Sequence, residues 1–205
     1  MDLNIYTKGL SSDLLPKIKK RFADFSMKIE FHPEFKFDEQ TDSGFCPIKL
    51  KLQRGHSELY DKFGDDILTG FEINFDNYNY AEELKEIQSE SSNENKKSFL
   101  SNLFGNKNKT EIKDLYIENK IIDNKLKRCN KNLILNWQSG NKSELRISLY
   151  FGAILAELTD GVIYDPQNGR YLTGQQALAE FPSEIAEYEK SFSSEKFTLH
   201  KFEKW

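Results

Sequence analysis

The chain has 205 residues and a mass of 23.9 kDa, with 33 acidic side chains against 29 basic ones and a formal net charge of −4. Its 38% hydrophobic content, including 16 Phe and 9 Tyr, supplies apolar surface for a packed core and excludes wholesale disorder. The net acidity removes the simplest case for a nucleic-acid binder, which needs cations to neutralise phosphates.

Leu3, Ile5 and Thr7 alternate with their neighbours and predict a first strand. Ser12 or Asp13 is placed to cap a helix on which Leu15, Ile18, Phe22 and Phe25 recur at helical spacing, with Pro16 tolerated in its first turn. Period-two alternation returns at Met27, Ile29 and Phe31, at Ile48, Leu50 and Leu52, and at Phe71, Ile73 and Phe75, so the first 80 residues read as a partly antiparallel sheet carrying one helix on its inner face. Residues 81–110 are crowded with Ser, Asn, Lys and Glu and read as a polar insertion, with Phe99, Leu100, Leu103 and Phe104 as an apolar island in it.

A strand over 131–137 ends at Trp137. After it, Ser143 as N-cap and Gly161 as stop bound a helix near 143–159 whose Ile147–Ala156 stretch is apolar on almost every side, as a buried helix requires. That stretch spans about 15 Å as a helix, half of a bilayer core. VIYD and RYLT flank the turn-rich PQNG and predict a hairpin, and Thr173 with Gln176 has capping-box spacing for a further helix. Pro182 is expected to break or kink that helix, a second piece running from about Ser183 to Ser191, with FTLHKFEKW as a last strand or a loose end. The fold class expected is α+β, with mixed or antiparallel sheets and packed helices, in one domain over 1–205 interrupted at about 81–110. The opening residues MDLNIYTKGLSSDL lack a basic region followed by an apolar one, so a cytoplasmic chain with reduced thiols is expected.

Groups suited to catalysis are few. His56-x-Glu58, with Asp61, Asp65 and Asp66 nearby, is the only cluster with metal-like ligands; lacking a second motif half, it reads first as a solvated polar loop. His32 falls on the polar side of a strand and His200 in the tail. Cys129 follows Lys125, Lys127 and Arg128, cations that would lower its pKa if it were exposed; no Cys/His/Asn signature surrounds it or Cys46, and both read as buried or incidental thiols. Asp160-Gly161 and Asp165-Pro166 put two carboxylates at the ends of one hairpin, where their ordinary roles are a helix stop and a turn start. Lys120, Lys125, Lys127, Arg128 and Lys131 lack interleaved aromatics and read as a solvated face. Neither phosphate-loop, dinucleotide, nucleophile-elbow nor HExxH spacing occurs, so no catalytic residue, metal ligand or cofactor is assigned, and neither a nucleic-acid nor a membrane partner is expected.

Trp137-x-x-Gly140 followed by LYFGAILAELTDGVIYDPQNGRYLTGQQAL resembles a group of bacterial proteins in which a buried helix ends in A-x-L-A-E-L-T-x-G and continues into a strand reading V-x-Y-D-P-Q. The matching residues are Ala153, Leu155, Ala156, Glu157, Leu158, Thr159, Gly161, Val162, Tyr164, Asp165, Pro166 and Gln167, and residues 8–52 are also similar. Proteins of this kind resemble the small immunity proteins that accompany bacterial polymorphic and contact-delivered toxins. The resemblance implies a cognate toxin as partner, bound and neutralised in the cytosol, and no catalytic residues. Within 155–190 seven acids face two bases, and Glu157, Asp160, Asp165, Glu184, Glu187 and Glu189 are the candidates for an acidic surface toward a basic toxin. Two other readings stay open: a metal-dependent enzyme using the His56/Glu58 region, and an adaptor docking through the 99–104 island.

Overall fold

In the computed structural model the described residues are 1–37, 44–52, 67–85, 117 and 119–190. The His56/Glu58 region, the 99–104 island, most of the 81–110 segment and the tail from residue 191 lie outside them. The elements are β1 (Asp2–Thr7), α1 (Leu14–Ala23), β2 (Met27–Phe31), β3 (Gly44–Leu52), β4 (Ile67–Asn77), α2 (Lys120–Leu126), β5 (Lys131–Asn136), α3 (Lys142–Leu158), β6 (Val162–Asp165), β7 (Arg170–Thr173) and α4 (Gly174–Lys190).

Alternation decides which way each strand faces. Leu3 and Ile5 of β1 stand in register with Leu135 and Leu133 of β5, and Ile29 of β2 with Leu50 of β3, so these residues fall on one face of the sheet and form the main core, while Tyr6 of β1 and Val162 of β6 belong to a second cluster. The seven strands form one antiparallel sheet in the order β2-β3-β4-β5-β1-β6-β7, and the fold is α+β. On that apolar face α3 lies over β4 and β1, with α1 and α4 packed against it. An aromatic cluster fills the centre: the Phe151 ring of α3 lies 4.9 Å from Phe71, 6.1 Å from Phe31 and 6.2 Å from Phe37. On the opposite face α2 covers only one end of the sheet, through Ile122, Leu126, Tyr6 and Val162.

Helix ends depart from the expected residues in four places. Asp13 occupies the N-cap position of α1 with helical backbone angles and makes no capping bond; its carboxylate instead takes Lys17, 2.7 Å away, and the Ser11 hydroxyl. The cap of α3 is Asn141 and not Ser143: its side chain accepts from the Glu144 amide at 3.2 Å and from the Ser143 hydroxyl at 2.9 Å. At the far end of α3, Asp160 takes the left-handed conformation (φ 53°) where glycine is usual, while the Gly161 amide closes back on the Ala156 carbonyl at 2.8 Å. Gly161 is needed for a different reason: a Cβ there would stand 2.3 Å from the Tyr6 carbonyl oxygen of β1.

The fourth departure is α4, which runs unbroken through Pro182. An interior proline costs about 3 kcal/mol through the lost bond and the clash with the preceding turn. Ala177, Phe181, Ile185 and Glu189 recur every fourth residue and are all buried, and full burial of a residue such as Phe181 or Ile185 returns about 1.5–3 kcal/mol. The packed stripe therefore outweighs the local break. The capping box at the start of α4 forms as expected, the Thr173 amide donating to Gln176 Oε1 at 2.9 Å and the Gln176 amide to Thr173 Oγ1 at 3.3 Å.

Candidate functional site

The six candidate carboxylates do not form one free acidic surface. Glu157, in the last turn of α3, grips Arg21 of α1 in a two-pronged pair, Nε to Oε2 at 2.8 Å and Nη2 to Oε1 at 2.9 Å. Asp165 ends β6 and orders the hairpin turn, accepting from the Asn168 side chain at 2.8 Å and from Arg170 Nε at 3.0 Å. Arg170 also reaches Glu180 at 2.9 Å and Glu184 at 2.6 Å, tying the hairpin to α4. Glu189 is buried against α3, where Arg146 meets it through Nε at 2.8 Å and Nη2 at 2.6 Å, and its backbone carbonyl accepts from Lys142 Nζ at 2.7 Å. Glu187 is the one exposed residue of the six, and it holds no ion pair among the described residues.

Asp160 is a hub. Lys8 at the end of β1 reaches its Oδ2 at 2.9 Å, Arg128 the same oxygen at 3.1 Å, and Lys125 of α2 the other oxygen. The Lys125 hydrogen bond, then that of Lys8, holds the Asp160 carboxyl down to about 2. The basic stretch after residue 120 is thus a clamp on α2 more than an open solvated face: Lys125 and Arg128 serve Asp160, and Lys127 lies 2.8 Å from the buried Asp123. A depressed carboxyl stabilises the fold above its unfolded pKa near 3.9 and loses that contribution as pH falls through the folded value. Asp160→Asn keeps a side chain that tolerates the left-handed backbone and removes only the charge. Thermal unfolding followed from about pH 5 to about pH 2 should therefore drop less steeply for Asp160→Asn than for the parent chain.

Glu157 and Asp160 line the same concavity. A cleft of about 430 Å³ lies between α2, the end of α3 and the start of α4, lined by Asn119, Ile121, Lys125, Glu157, Asp160 and Gln176 among others. Its floor is made by backbone contact: a Cβ on Gly174 would stand 2.1 Å from the Glu157 nitrogen, so α4 can begin against α3 only with glycine there. Ile121, in the first turn of α2, is 65% exposed at this cleft, although the Asn119 cap just before it holds the helix start firmly, accepting from the amides of Ile121 and Ile122 at 3.0 and 3.4 Å. Sequence reasoning missed this helix. Its signal was the Asn119 cap, three residues before the buried Ile122.

The remaining candidate groups are placed as follows. Both thiols are buried. Burial raises Cys129 to about 11 against the opposing pull of Lys8 and Arg128, so the exposure on which a lowered pKa depended is not met; burial likewise pushes Cys46 up. Neither offers a thiolate at neutral pH. Asp160 and Asp165 stand at opposite ends of β6 on different cations, as helix end and turn start. Among the described residues no group of three His, Cys, Asp or Glu side chains is placed to hold a metal ion, and no helix is long and apolar enough to cross a membrane. Neither a protein-family model, nor a curated protein, nor a solved structure matches the chain.

Proposed function

We propose that this chain is an immunity-type protein that binds one cognate bacterial toxin in the cytosol and neutralises it by occlusion, with no chemistry of its own. The observation that carries the reading is the cleft at α2, α3 and α4, where a rigidly capped helix start exposes Ile121 beside charged and amide groups already fixed by internal bonds. An apolar anchor within a polar rim is how protein interfaces concentrate their binding energy, and a pre-ordered rim costs little entropy on association. The residues Ala153–Gln167 that carry the immunity resemblance run through the wall of this cleft, Ala156, Glu157, Asp160 and Gly161 among them. The net charge of −4 and the exposed Glu187 favour approach of a basic toxin, while the other candidate carboxylates serve mainly to hold the frame.

The test separates anchor from frame. Ile121→Glu changes a largely solvated side chain, so the unfolding midpoint should stay within experimental error while the affinity for the toxin falls by about tenfold or more. Glu187→Lys should act on association rate and salt dependence. An Ile121→Glu chain that binds and neutralises the toxin as the parent does would place the contact elsewhere and remove the cleft from the account.

A further inference from the structure

The opposite edge of the sheet carries a feature that the cleft reading leaves unused. β2 is the terminal strand and, among the described residues, pairs with β3 alone. Beside it runs a groove of about 670 Å³, lined by Pro16, Lys19, Lys20 and Ala23 of α1, by Lys28, Ile29 and Glu30 of β2, and by Lys49 and Lys51 of β3. Five lysines and one glutamate thus converge on a chain whose overall charge is negative. Lys19, Lys20 and Lys28 are exposed and hold no ion pair among the described residues, and Lys28 stands directly across from Lys51 in the β2–β3 register. Like charges placed opposite one another across a strand pair repel.

The lysines also come from two layers. Buried Met27 and Ile29 put their side of β2 toward the helices, where α1 supplies Lys19 and Lys20. Lys28, Lys49 and Lys51 alternate with buried residues and therefore lie on the other face. A strand added to the β2 edge sends successive side chains to the two faces in turn, so it meets lysines on both.

We infer that the β2 edge is a docking site for an extended, acidic segment of a partner protein, which joins the sheet as an eighth strand. Backbone pairing with β2 supplies affinity and the two lysine layers select carboxylates. Five residues of strand are about 16 Å long, which fits an occupant of about five to seven residues. Edge lysines commonly guard a strand against pairing with its own kind, which accounts for Lys28 but not for Lys19 and Lys20 on the helix. A second copy of this chain is disfavoured as occupant because it would bring its own lysine groove. Among the described residues the lining contains no aromatic residue on which bases could stack and no arginine to fork onto phosphate, so a protein segment fits better than a nucleic acid. This site lies at the sheet edge remote from β6 and β7, and it stands or falls independently of the cleft.

The test uses the full chain and a fluorescent synthetic peptide of about eight residues, Glu and Asp alternating with Thr and Val so that acids fall on both faces. The expected result is binding that weakens as salt rises from about 0.05 to about 0.3 M, and that falls by about tenfold or more in Lys20→Glu/Lys28→Glu, a pair of exposed substitutions with unchanged unfolding. N-methylation of alternate peptide amides should abolish it, because the donors that pair with β2 are then gone. Absence of binding by the acidic peptide, or equal binding by its N-methylated form and by an oligothymidylate of the same charge, would overturn the strand-addition proposal.

Discussion

Arg146→Ala should lower the free energy of unfolding by about 3–5 kcal/mol, the cost of leaving one member of a buried ion pair without its partner. The Arg146 and Glu189 side chains are only 5% and 7% exposed and are joined by two short bonds, so neither water nor salt can compensate for the loss. The effect passes through architecture: this pair and the Lys142 bond to the Glu189 carbonyl fasten the last turn of α4 to the start of α3. Arg146→Met combined with Glu189→Met should recover most of the loss, since apolar side chains of similar volume replace a buried pair at little cost. Urea unfolding with an unchanged slope checks both variants, and a loss below about 1 kcal/mol for Arg146→Ala would mean that the pair is solvated.

Phe151→Ala should be comparably severe, at about 3–5 kcal/mol, for a different reason. Phe151 is fully buried at the junction of three other rings, and its truncation empties space that the surrounding strands can only partly close. Phe151→Leu keeps much of the volume and should lose clearly less. Equal effects of the two substitutions in denaturant unfolding would place the energy in ring-to-ring geometry and not in filled volume.

What the sequence disclosed, and what it withheld, follows the range of the interactions involved. β1, β2, the β6–β7 hairpin and the Thr173–Gln176 box depend on neighbours within a few residues, and their pattern is visible in Leu3/Ile5, Met27/Ile29 and the PQNG turn. Burial of α3 was legible from Ile147–Ala156, but its reach back to Lys142 was not, because three polar side chains there are satisfied by partners far along the chain or in the turn before the helix: Ser143 receives the Thr69 hydroxyl, Arg146 meets Glu189, and Glu144 accepts from the Gln138 amide. Pro182 looked like a break because its cost is local, whereas the stripe that overrides it is tertiary. The acidic surface fared worst. A charge count over 155–190 sees Arg170 once, while the fold lets that single guanidinium serve Asp165, Glu180 and Glu184, and brings Arg21 to Glu157 from 136 residues away. Ile121 could not be singled out at all, since an isoleucine in a short run of apolar residues is ordinarily core.

These pairings also shape how the proposed function would work. A frame whose carboxylates are already bound to cations presents a fixed outline around the cleft, and a fixed outline favours slow dissociation from one partner over loose contact with many. Long residence is what a neutralising protein requires, because any free toxin continues to act.

The central claim is tested most directly by tagging the chain in the organism that carries it, isolating the protein retained at one-to-one stoichiometry, and expressing that protein with and without the chain. The account predicts that the retained protein alone stops growth, that co-expression of the parent chain restores it, and that the Ile121→Glu chain does not. A retained protein that is harmless when expressed alone, or one whose toxicity is undiminished by co-expression, would contradict the neutralising role.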